Sequence, residues 1–221
     1  MINILLEGYT IDAPWLYDEL KNHIKPHHRV AIVAFSFRDR TASNLEEWNA
    51  VYGKNGRFYD SIVNPLLFYG IKEENITFIN YFADTKKSAG AKVESADIIY
   101  FLGGLPDKMY ERIKEFELQD ALMRHDKIVM GYSAGAVIQL REYHLSPDKD
   151  YPEFSYFEGL PYLDDFYLEV HYTGEAEQDR SIERVLKERG KTVYATILHE
   201  GAILVENGKI KLLGKVNTYN K

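Results

Sequence analysis

The sequence contains no cysteine, and it also lacks long apolar runs and an N-terminal targeting pattern. Without cysteine a chain can form no disulfide, thiolate metal site or iron–sulfur cluster, and it has no cysteine nucleophile. No apolar run approaches the roughly 18 residues that a membrane-spanning helix needs. The first residues include no basic segment of the kind that opens a signal peptide. We therefore expect a cytoplasmic protein that does not bind a membrane.

The charge of the chain also narrows the classes of partner. The 27 lysines and arginines are scattered among 34 acidic residues, and the net charge is −7. Nucleic-acid binding needs a clustered basic face, so we expect no nucleic-acid partner. The 221 residues, 45% of them hydrophobic, are enough for one folded domain over residues 1–221.

Short apolar runs alternate along the chain with longer amphipathic segments. Strands covered on both faces read as nearly continuous apolar runs, and their alternation with helices predicts a mainly parallel sheet in a three-layer αβα fold. The predicted strands are 2–6, 29–35, 75–81, 97–102, 127–130, 166–170 and 192–198. The predicted helices are one opening at Asp12 and Pro14, one opening at a capping box of Ser43 and Glu46, and 59–69, 107–125 and 177–189.

Two further segments depart from this alternation. Asn207-Gly208 separates the apolar runs 202–206 and 209–213, which predicts a C-terminal antiparallel hairpin. Residues 146–165 are rich in Pro, Asp, Tyr and Glu and predict a long loop. A loop of this length in a compact domain is typical of a functional element or a lid.

The most informative segment is Gly131-Tyr-Ser133-Ala-Gly135, a G-x-S-x-G sequence between a predicted strand and a predicted helix. This context is that of a nucleophile elbow, in which the serine occupies a strained turn and needs small neighbours. The alternative is a serine that only caps a helix. In the elbow interpretation the N–H of Ala134 and the helix dipole would stabilise an oxyanion at Ser133.

A second oxyanion donor is expected from a neighbouring strand end. Gly103 and Gly104 follow the predicted strand 97–102, and ligands bind at that edge of parallel sheets. Glycines at this point let a backbone N–H face the cleft without a side chain in the way.

A nucleophilic serine needs a general base, and the best-placed histidine is His171. It directly follows the predicted strand 166–170, so we expect it at a sheet edge beside Ser133. His144 is the alternative, only eleven residues after the serine. A carboxylate must then orient the imidazole. The spacing leaves this third group open among five residues, namely Asp148, Asp150, Asp164, Asp165 and Glu200.

Taken together, these residues resemble the peptidase E family of serine peptidases, also called aspartyl dipeptidases. The resemblance lies in the elbow 131–136, in Phe101-Leu-Gly-Gly104, in His171 and in Leu198-His-Glu-Gly201, and it extends from the first strand to about residue 205. The related cyanophycinases share the same elbow. The resemblance implies a class I glutamine amidotransferase-like fold in which serine replaces the amidotransferase cysteine, which the lack of cysteine fits.

The resemblance also implies roles for individual residues. It places the nucleophile at Ser133, the histidine at His171 and the glutamate of the family at Glu200. It implies a further functional aspartate in the loop after the elbow, where Asp148 matches by distance from the serine and Asp150 by its local D-x-P setting.

Substrate recognition is where the sequence departs from the family. The family carries an arginine after the catalytic histidine, which would pair with a substrate carboxylate. Here Arg180 matches the second arginine of that stretch, and Glu177 stands near the first. Arg38 and Arg40, which follow the second strand, are the alternative cations at the same sheet edge.

The expected function is hydrolysis of short peptides, as a dipeptidase with an aspartyl preference implied by the family, through an acyl-enzyme and without a metal or organic cofactor. Two alternatives stay open from the residues. One is an esterase or other acyl hydrolase on the same fold, because the elbow does not distinguish esters from amides. The other is a binding protein that has lost catalysis.

Overall fold

The computed structural model describes all 221 residues and is built around one large sheet. The chain contributes ten strands in all, with eight in the large sheet and two in a separate small sheet. The strands are β1 (Ile2–Leu6), β2 (Val30–Val33), β3 (Ile76–Ile79), β4 (Ile98–Phe101), β5 (Ile128–Tyr132), β6 (Glu142–Leu145), β7 (Ser155–Glu158), β8 (Phe166–Tyr172), β9 (Thr192–Glu206) and β10 (Lys209–Tyr219).

The large sheet has the order β10-β9-β1-β5-β4-β2-β3, and β8 also pairs with β9. The pairs β1–β5, β5–β4, β4–β2 and β2–β3 are parallel, whereas β9 runs antiparallel to β1 and to β10. The predicted α/β class with a mainly parallel sheet and antiparallel C-terminal strands is therefore confirmed.

The helices cover both faces of this sheet. The helices are α1 (Pro14–Leu20), α2 (Leu45–Tyr52), α3 (Tyr59–Phe68), α4 (Lys86–Ser95), α5 (Pro106–Glu115), α6 (Gln119–Arg124), α7 (Ala134–Val137) and α8 (Ala176–Arg189). One apolar core lies under α1 to α3 and the other under α4 to α7, and alternate residues of the central strands point to one or the other. This arrangement explains why these strands read as continuous apolar runs. None of the helices is both long and apolar enough to cross a bilayer.

Three helical details differ from the sequence prediction. The segment 107–125 forms two helices, because the chain turns at Glu117, which has φ +55°. The second helix is capped one residue later than predicted, by Asn44, whose side chain accepts from the Glu47 N–H at 3.0 Å. The helix after the elbow, α7, has only four residues. Its dipole is correspondingly small, so the oxyanion stabilisation predicted there would have to come from individual N–H groups.

The C-terminal region is a longer antiparallel ribbon than predicted. The Asn207-Gly208 turn is present, and both residues have positive φ, as the tight turn requires. However, the two predicted strands 192–198 and 202–206 belong to one long strand, β9. Its backbone is irregular at His199, where φ is +63°. Likewise the predicted loop 146–165 contains β7, which pairs antiparallel with β6.

The long strand β9 determines where two other strands end. Because β10 pairs along one edge of β9, both β1 and β8 pair along the other edge. β8 runs parallel to β9 and ends where Tyr172 pairs with Ile197. β1 runs antiparallel to β9 and ends where Leu6 pairs with Ala202. The carboxyl ends of β1 and β8 therefore face one another across the segment 198–201.

Because the elbow glycines are closely packed, we expect a substitution at Gly135 to have a large effect on stability. A Cβ at Gly135 would overlap the Phe101 carbonyl, with the carbonyl carbon at 2.6 Å, whereas a Cβ at Gly90 in α4 would meet no atom within 4 Å. We expect Gly135→Ala to lower the free energy of unfolding by about 3 kcal/mol, since two backbones must separate. The matched change Gly90→Ala should raise it by about 0.5–1 kcal/mol through helix propensity. Urea denaturation measures both, and a neutral Gly135→Ala would contradict this packing.

Candidate active site

Ser133 lies in a strained turn between β5 and α7. Its φ of +53° and ψ of −117° are unusual for a residue with a side chain. The turn is held in place by the Ser133 N–H, which donates to the Leu6 carbonyl at 3.0 Å. The serine therefore sits beside the carboxyl end of β1, which neighbours β5 in the sheet. This geometry is the one that the G-x-S-x-G sequence predicts.

His171 is the histidine that the structure brings to Ser133. Its Nε2 lies 2.8 Å from the Ser133 Oγ, a hydrogen-bond distance. The pairing of β8 with β9 shifts in register between Glu169 and Tyr172, and His171 itself has φ +56°. This irregularity turns the imidazole out of the regular strand pattern. His144, the alternative base, is fully buried on Glu169 instead, with His144 Nε2 2.8 Å from Glu169 Oε2.

The carboxylate on His171 is Glu7, which follows the last residue of β1. The Glu7 Oε1 is hydrogen-bonded to the His171 Nδ1, and Oε2 accepts from the His199 backbone N–H at 2.7 Å. Only 4% of the Glu7 side chain is exposed. Burial disfavours its charged form, but the hydrogen bonds from His171 and His199 outweigh it, so the pKa of Glu7 lies below its usual value.

Glu7 was not predicted from the sequence, although a signal for it was present. Glu7 is the first acidic residue after a buried strand, and Ser133 follows another such strand. The carboxyl ends of parallel neighbouring strands meet at one sheet edge, so an acid at such an end is a candidate for the same site. Three residues around Glu7 have positive φ without being glycine, namely Ser133, His171 and His199. Backbone strain of this kind clusters at functional sites.

The structure does not bring Glu200 to His171, contrary to the expectation from the resemblance. Glu200 follows His199 in β9, and the Glu200 Oε2 forms an ion pair with Lys215 Nζ of β10 at 2.6 Å. The regular strand pattern is broken here, since the pairing of β9 with β10 shifts in register at this segment and His199 has φ +63°. The backbone N–H of His199 donates to Glu7, while the carboxylate of the next residue faces Lys215 and solvent.

The other acidic candidates are also engaged elsewhere. The Asp148 Oδ1 accepts from the backbone N–H groups of Asp150 and Tyr151, at 2.8 and 2.7 Å, and so organises its own loop. Asp150 forms a two-point ion pair with Arg38. Asp164 pairs with Arg141 and Lys191 before β8 begins, at the opposite end of that strand from His171. Its neighbour Asp165 is exposed and lies at that end too.

Two of the three predicted oxyanion donors have free backbone N–H groups. The N–H groups of Gly104 and Ala134 make no hydrogen bond within the chain. Gly104 has φ +141°, and a Cβ there would overlap the Ser36 carbonyl, so the position requires glycine. Gly103 packs on the serine, since a Cβ added at Gly103 would lie 3.3 Å from the Ser133 Cβ. Its N–H lies against the Tyr132 hydroxyl. Burial raises the pKa of Tyr132, and the Gly103 N–H partly offsets that rise.

The three predicted substrate-binding arginines lie at two places. Arg180 is in the first turns of α8 and pairs with Glu177 of the same helix. Arg38 and Arg40 line a separate cavity of about 440 Å³ together with Asp150. Arg38 is already engaged by Asp150, the pairing that raises the pKa of Arg38 despite partial burial. Neither Arg38 nor Arg180 therefore presents an unpaired charge.

Gln178 of α8 holds the strained segment that carries His171. Its side-chain amide donates to the His171 carbonyl at 3.1 Å and to Glu169 Oε1 at 3.2 Å, and its oxygen accepts from the Thr173 N–H at 2.9 Å. No sequence motif singled it out. These bonds fix the backbone from which the imidazole projects.

We expect Gln178→Leu to lower kcat by about 10- to 100-fold, because a small displacement of the base misaligns the proton transfer. Gln119→Leu is the matched control, since Gln119 lies at the start of α6 and bonds only Tyr110, at 3.4 Å. Steady-state kinetics on a cleaved peptide give both values. Equal kcat for the two variants would contradict a positioning role for Gln178.

One protein-family model matches the chain. The model of peptidase family S51 matches residues 51–213, which is most of the chain and includes both Ser133 and His171. No curated protein matches the chain by sequence.

Two solved structures have a similar fold. One is a protein provisionally named peptidase E from Listeria monocytogenes EGD-e, with a TM-score of 0.67 and 15% sequence identity over 97% of this chain and 98% of that one. The other is a peptidase from an acI-B1 Actinobacterium, with a TM-score of 0.64 and 14% identity over 99% of this chain and 93% of that one. At these identities the likeness concerns the fold.

Proposed function

The chain belongs to peptidase family S51 and is a serine peptidase, and from this premise we propose that it hydrolyses short peptides with Ser133 as the nucleophile. The observation that carries the proposal is the 2.8 Å distance between Ser133 Oγ and His171 Nε2, in a turn whose strain exposes the hydroxyl. Glu7 on the other imidazole nitrogen completes a Ser133–His171–Glu7 triad.

The triad residues have distinct roles in this mechanism. His171 Nε2 accepts the Ser133 proton while Oγ attacks the scissile carbonyl. Glu7 keeps the proton of His171 on Nδ1 and stabilises the imidazolium that forms. The negative charge that develops on the carbonyl oxygen is met by the N–H groups of Ala134 and Gly104, which have no partner within the chain.

The second half of the reaction uses the same groups. His171 gives its proton to the departing amine, which leaves an acyl ester on Ser133. A water molecule then loses a proton to His171 and attacks the ester. As the tetrahedral intermediate collapses, His171 returns this proton to Ser133 Oγ, which releases the acid and restores the hydroxyl. None of these steps calls on a metal or an organic cofactor.

A dipeptidase with an aspartyl preference is the finer form of this proposal. The cavity that borders His171 measures about 330 Å³, enough for one end of a small peptide. An aspartyl side chain would need a cation. Arg40 forms no ion pair in the chain, whereas Arg38 or Arg180 would have to exchange its present carboxylate for that of the substrate.

The experiment that tests the proposal combines a fluorophosphonate probe with a dipeptide panel that includes a matched ester. We expect the probe to label the wild-type protein at Ser133, located by peptide mapping, and His171→Ala to abolish labelling. Ser146 provides the internal control, since its hydroxyl donates to Glu169 at 2.8 Å rather than facing a base. Turnover of the ester alone would indicate an esterase. Absence of both labelling and turnover would indicate a binding protein and overturn the proposal.

A further inference from the structure

The cavity of about 330 Å³ beside His171, which we call the β8 cavity, lies between the ends of β6 and β8 and the start of α8. His171 forms part of its wall, and the aliphatic side chains of Val137, Leu168 and Leu198 line it as well. Because His171 also contacts Ser133, a group bound in the β8 cavity would belong to a molecule within reach of the nucleophile.

The β8 cavity is strongly acidic. Its ionisable lining consists of four carboxylates and two histidines, with no lysine or arginine, namely Asp148, Glu169, Glu175, Glu177, His144 and His171. The N-terminus of α8 points a partial positive charge of about half a unit toward this region, which offsets only a fraction of four carboxylates.

Part of this negative charge is not neutralised within the protein. Glu177 pairs with Arg180 at the rim. Asp148 uses Oδ1 for its own loop, and its Oδ2 forms no ion pair or hydrogen bond. Glu175 forms no ion pair or side-chain hydrogen bond at all, and it is exposed at the start of α8. Asp148 and Glu175 therefore present uncompensated charge to a ligand.

A buried histidine provides a second, independent indication of what the cavity binds. His144 lines the β8 cavity, its side chain is fully buried, and its Nδ1 has no hydrogen-bond partner. The other nitrogen, Nε2, faces Glu169 Oε2, which can only accept, so Nε2 carries the proton. In the neutral ring Nδ1 is then an acceptor. A buried acceptor without a partner in the chain can accept a hydrogen bond from a donor group of a ligand in this cavity.

We propose that the β8 cavity binds a cationic group of the peptide substrate, an ammonium or a guanidinium, in place of the carboxylate that the family resemblance implies. This inference rests on the proposed function. The two sources of such a group are the free N-terminal amine of a short peptide and the side chain of lysine or arginine. A substrate carboxylate would meet the uncompensated charges of Asp148 and Glu175, and the lining offers it no lysine or arginine.

The test measures peptide binding to Ser133→Ala, which keeps the cavity and cannot cleave. Calorimetry compares Lys-Leu, Leu-Leu, Asp-Leu and N-acetyl-Lys-Leu. We expect Lys-Leu to bind at least tenfold more tightly than Asp-Leu, and raising the salt concentration to narrow the difference, because the attraction is electrostatic. Binding is read without turnover, so this outcome is separate from the labelling and hydrolysis that test the proposed function.

Substitutions of lining residues test whether the cavity is responsible for the difference in affinity between Lys-Leu and Asp-Leu. In the double variant Asp148→Asn with Glu175→Gln, the asparagine oxygen preserves the loop hydrogen bonds, and we expect the ratio of the Kd values for Asp-Leu and Lys-Leu to fall about tenfold. Glu183→Gln is the matched control, since Glu183 lies exposed on the same helix but outside the cavity. It should leave that ratio unchanged.

The panel also identifies the source of the charge. Loss of binding on N-acetylation, with Leu-Leu equal to Lys-Leu, assigns the terminal ammonium. Binding retained on N-acetylation, with Lys-Leu tighter than Leu-Leu, assigns the side chain. The proposal is overturned if Asp-Leu binds most tightly, if charge makes no difference, or if the double variant discriminates as the parent does.

Discussion

We expect Glu7→Gln to lower kcat by about 10⁴-fold, the loss that follows when a buried carboxylate no longer orients a catalytic imidazole. Glutamine nearly matches the shape of the side chain but lacks its charge. Its amide can also donate toward Nδ1, which would favour the wrong tautomer of His171. The position of the imidazole would then be preserved while its ability to accept the Ser133 proton is lost.

The comparison that makes this result decisive is Glu200→Gln. The Glu200 carboxylate is exposed and pairs with Lys215, whereas the Glu7 carboxylate is buried against His171. We expect Glu200→Gln to retain kcat within about threefold, since exposed ion pairs contribute little. If Glu200→Gln were the inactive variant and Glu7→Gln the active one, the triad proposed above would be wrong and the family-derived glutamate would be restored.

Glu7→Gln should also change how stability depends on pH. The folded-state pKa of Glu7 lies below the ordinary value of 4.5, so the folded protein holds this proton less tightly than the unfolded chain. The charge of Glu7 therefore stabilises the fold above pH 4.5, and this contribution is lost as the pH falls through the folded-state pKa. Urea denaturation from pH 7 to pH 3 should show the stability gap between wild type and variant closing. A gap that widens on acidification would contradict the sign of the shift.

The second large effect is expected at the nucleophile. Ser133→Ala and Ser133→Gly should each lower kcat by about 10⁶-fold, because the acyl-enzyme cannot form and only binding and the oxyanion donors remain. Both variants must be prepared free of contaminating peptidases, since the expected residual rate is so low. Retained hydrolysis by either variant in clean material would exclude Ser133 as the nucleophile.

The two Ser133 variants should differ from each other in stability. With φ at +53° and ψ at −117°, alanine keeps the strain of the native turn, whereas glycine adopts this conformation freely. We expect Ser133→Gly to be more stable than Ser133→Ala by about 1 kcal/mol, the release of strain exceeding the added flexibility of the unfolded chain. Greater stability of the alanine variant would argue that the elbow is not strained.

The strands of the parallel sheet were predicted to within a few residues because their sequence pattern follows directly from burial on both faces. The predicted ends of helices and strands were wrong where no residue type marks the end of the element. Glu117 ends α5 in a left-handed conformation without a glycine or proline to signal it. The polar segment His199-Glu-Gly201 reads as a gap between two strands, yet the backbone continues through it as β9.

The residues of the candidate site also divide into those that a local sequence pattern predicted and those that it did not. Ser133 was predicted from a local motif, and His171 from its place after a strand, and the structure brings the two together. Their catalytic roles stay predictions for the experiments above. Glu7 lies 164 positions before His171 and belongs to no local motif, so spacing along the chain could not pair them. Glu200 matched the glutamate of the family by its sequence context, but its carboxylate pairs with Lys215 instead.

The sequence by itself determined the α/β class, the elbow with its small neighbours, the lack of any cysteine chemistry and the tight Asn207-Gly208 turn, because each depends on residue types within a few positions. The tertiary structure alone decided which carboxylate meets His171 and which charges surround it. The physical reason is that one long strand, β9, aligns β1 and β8 on the same edge with their carboxyl ends facing each other. That juxtaposition joins residues from the two ends of the chain, and no local pattern encodes it.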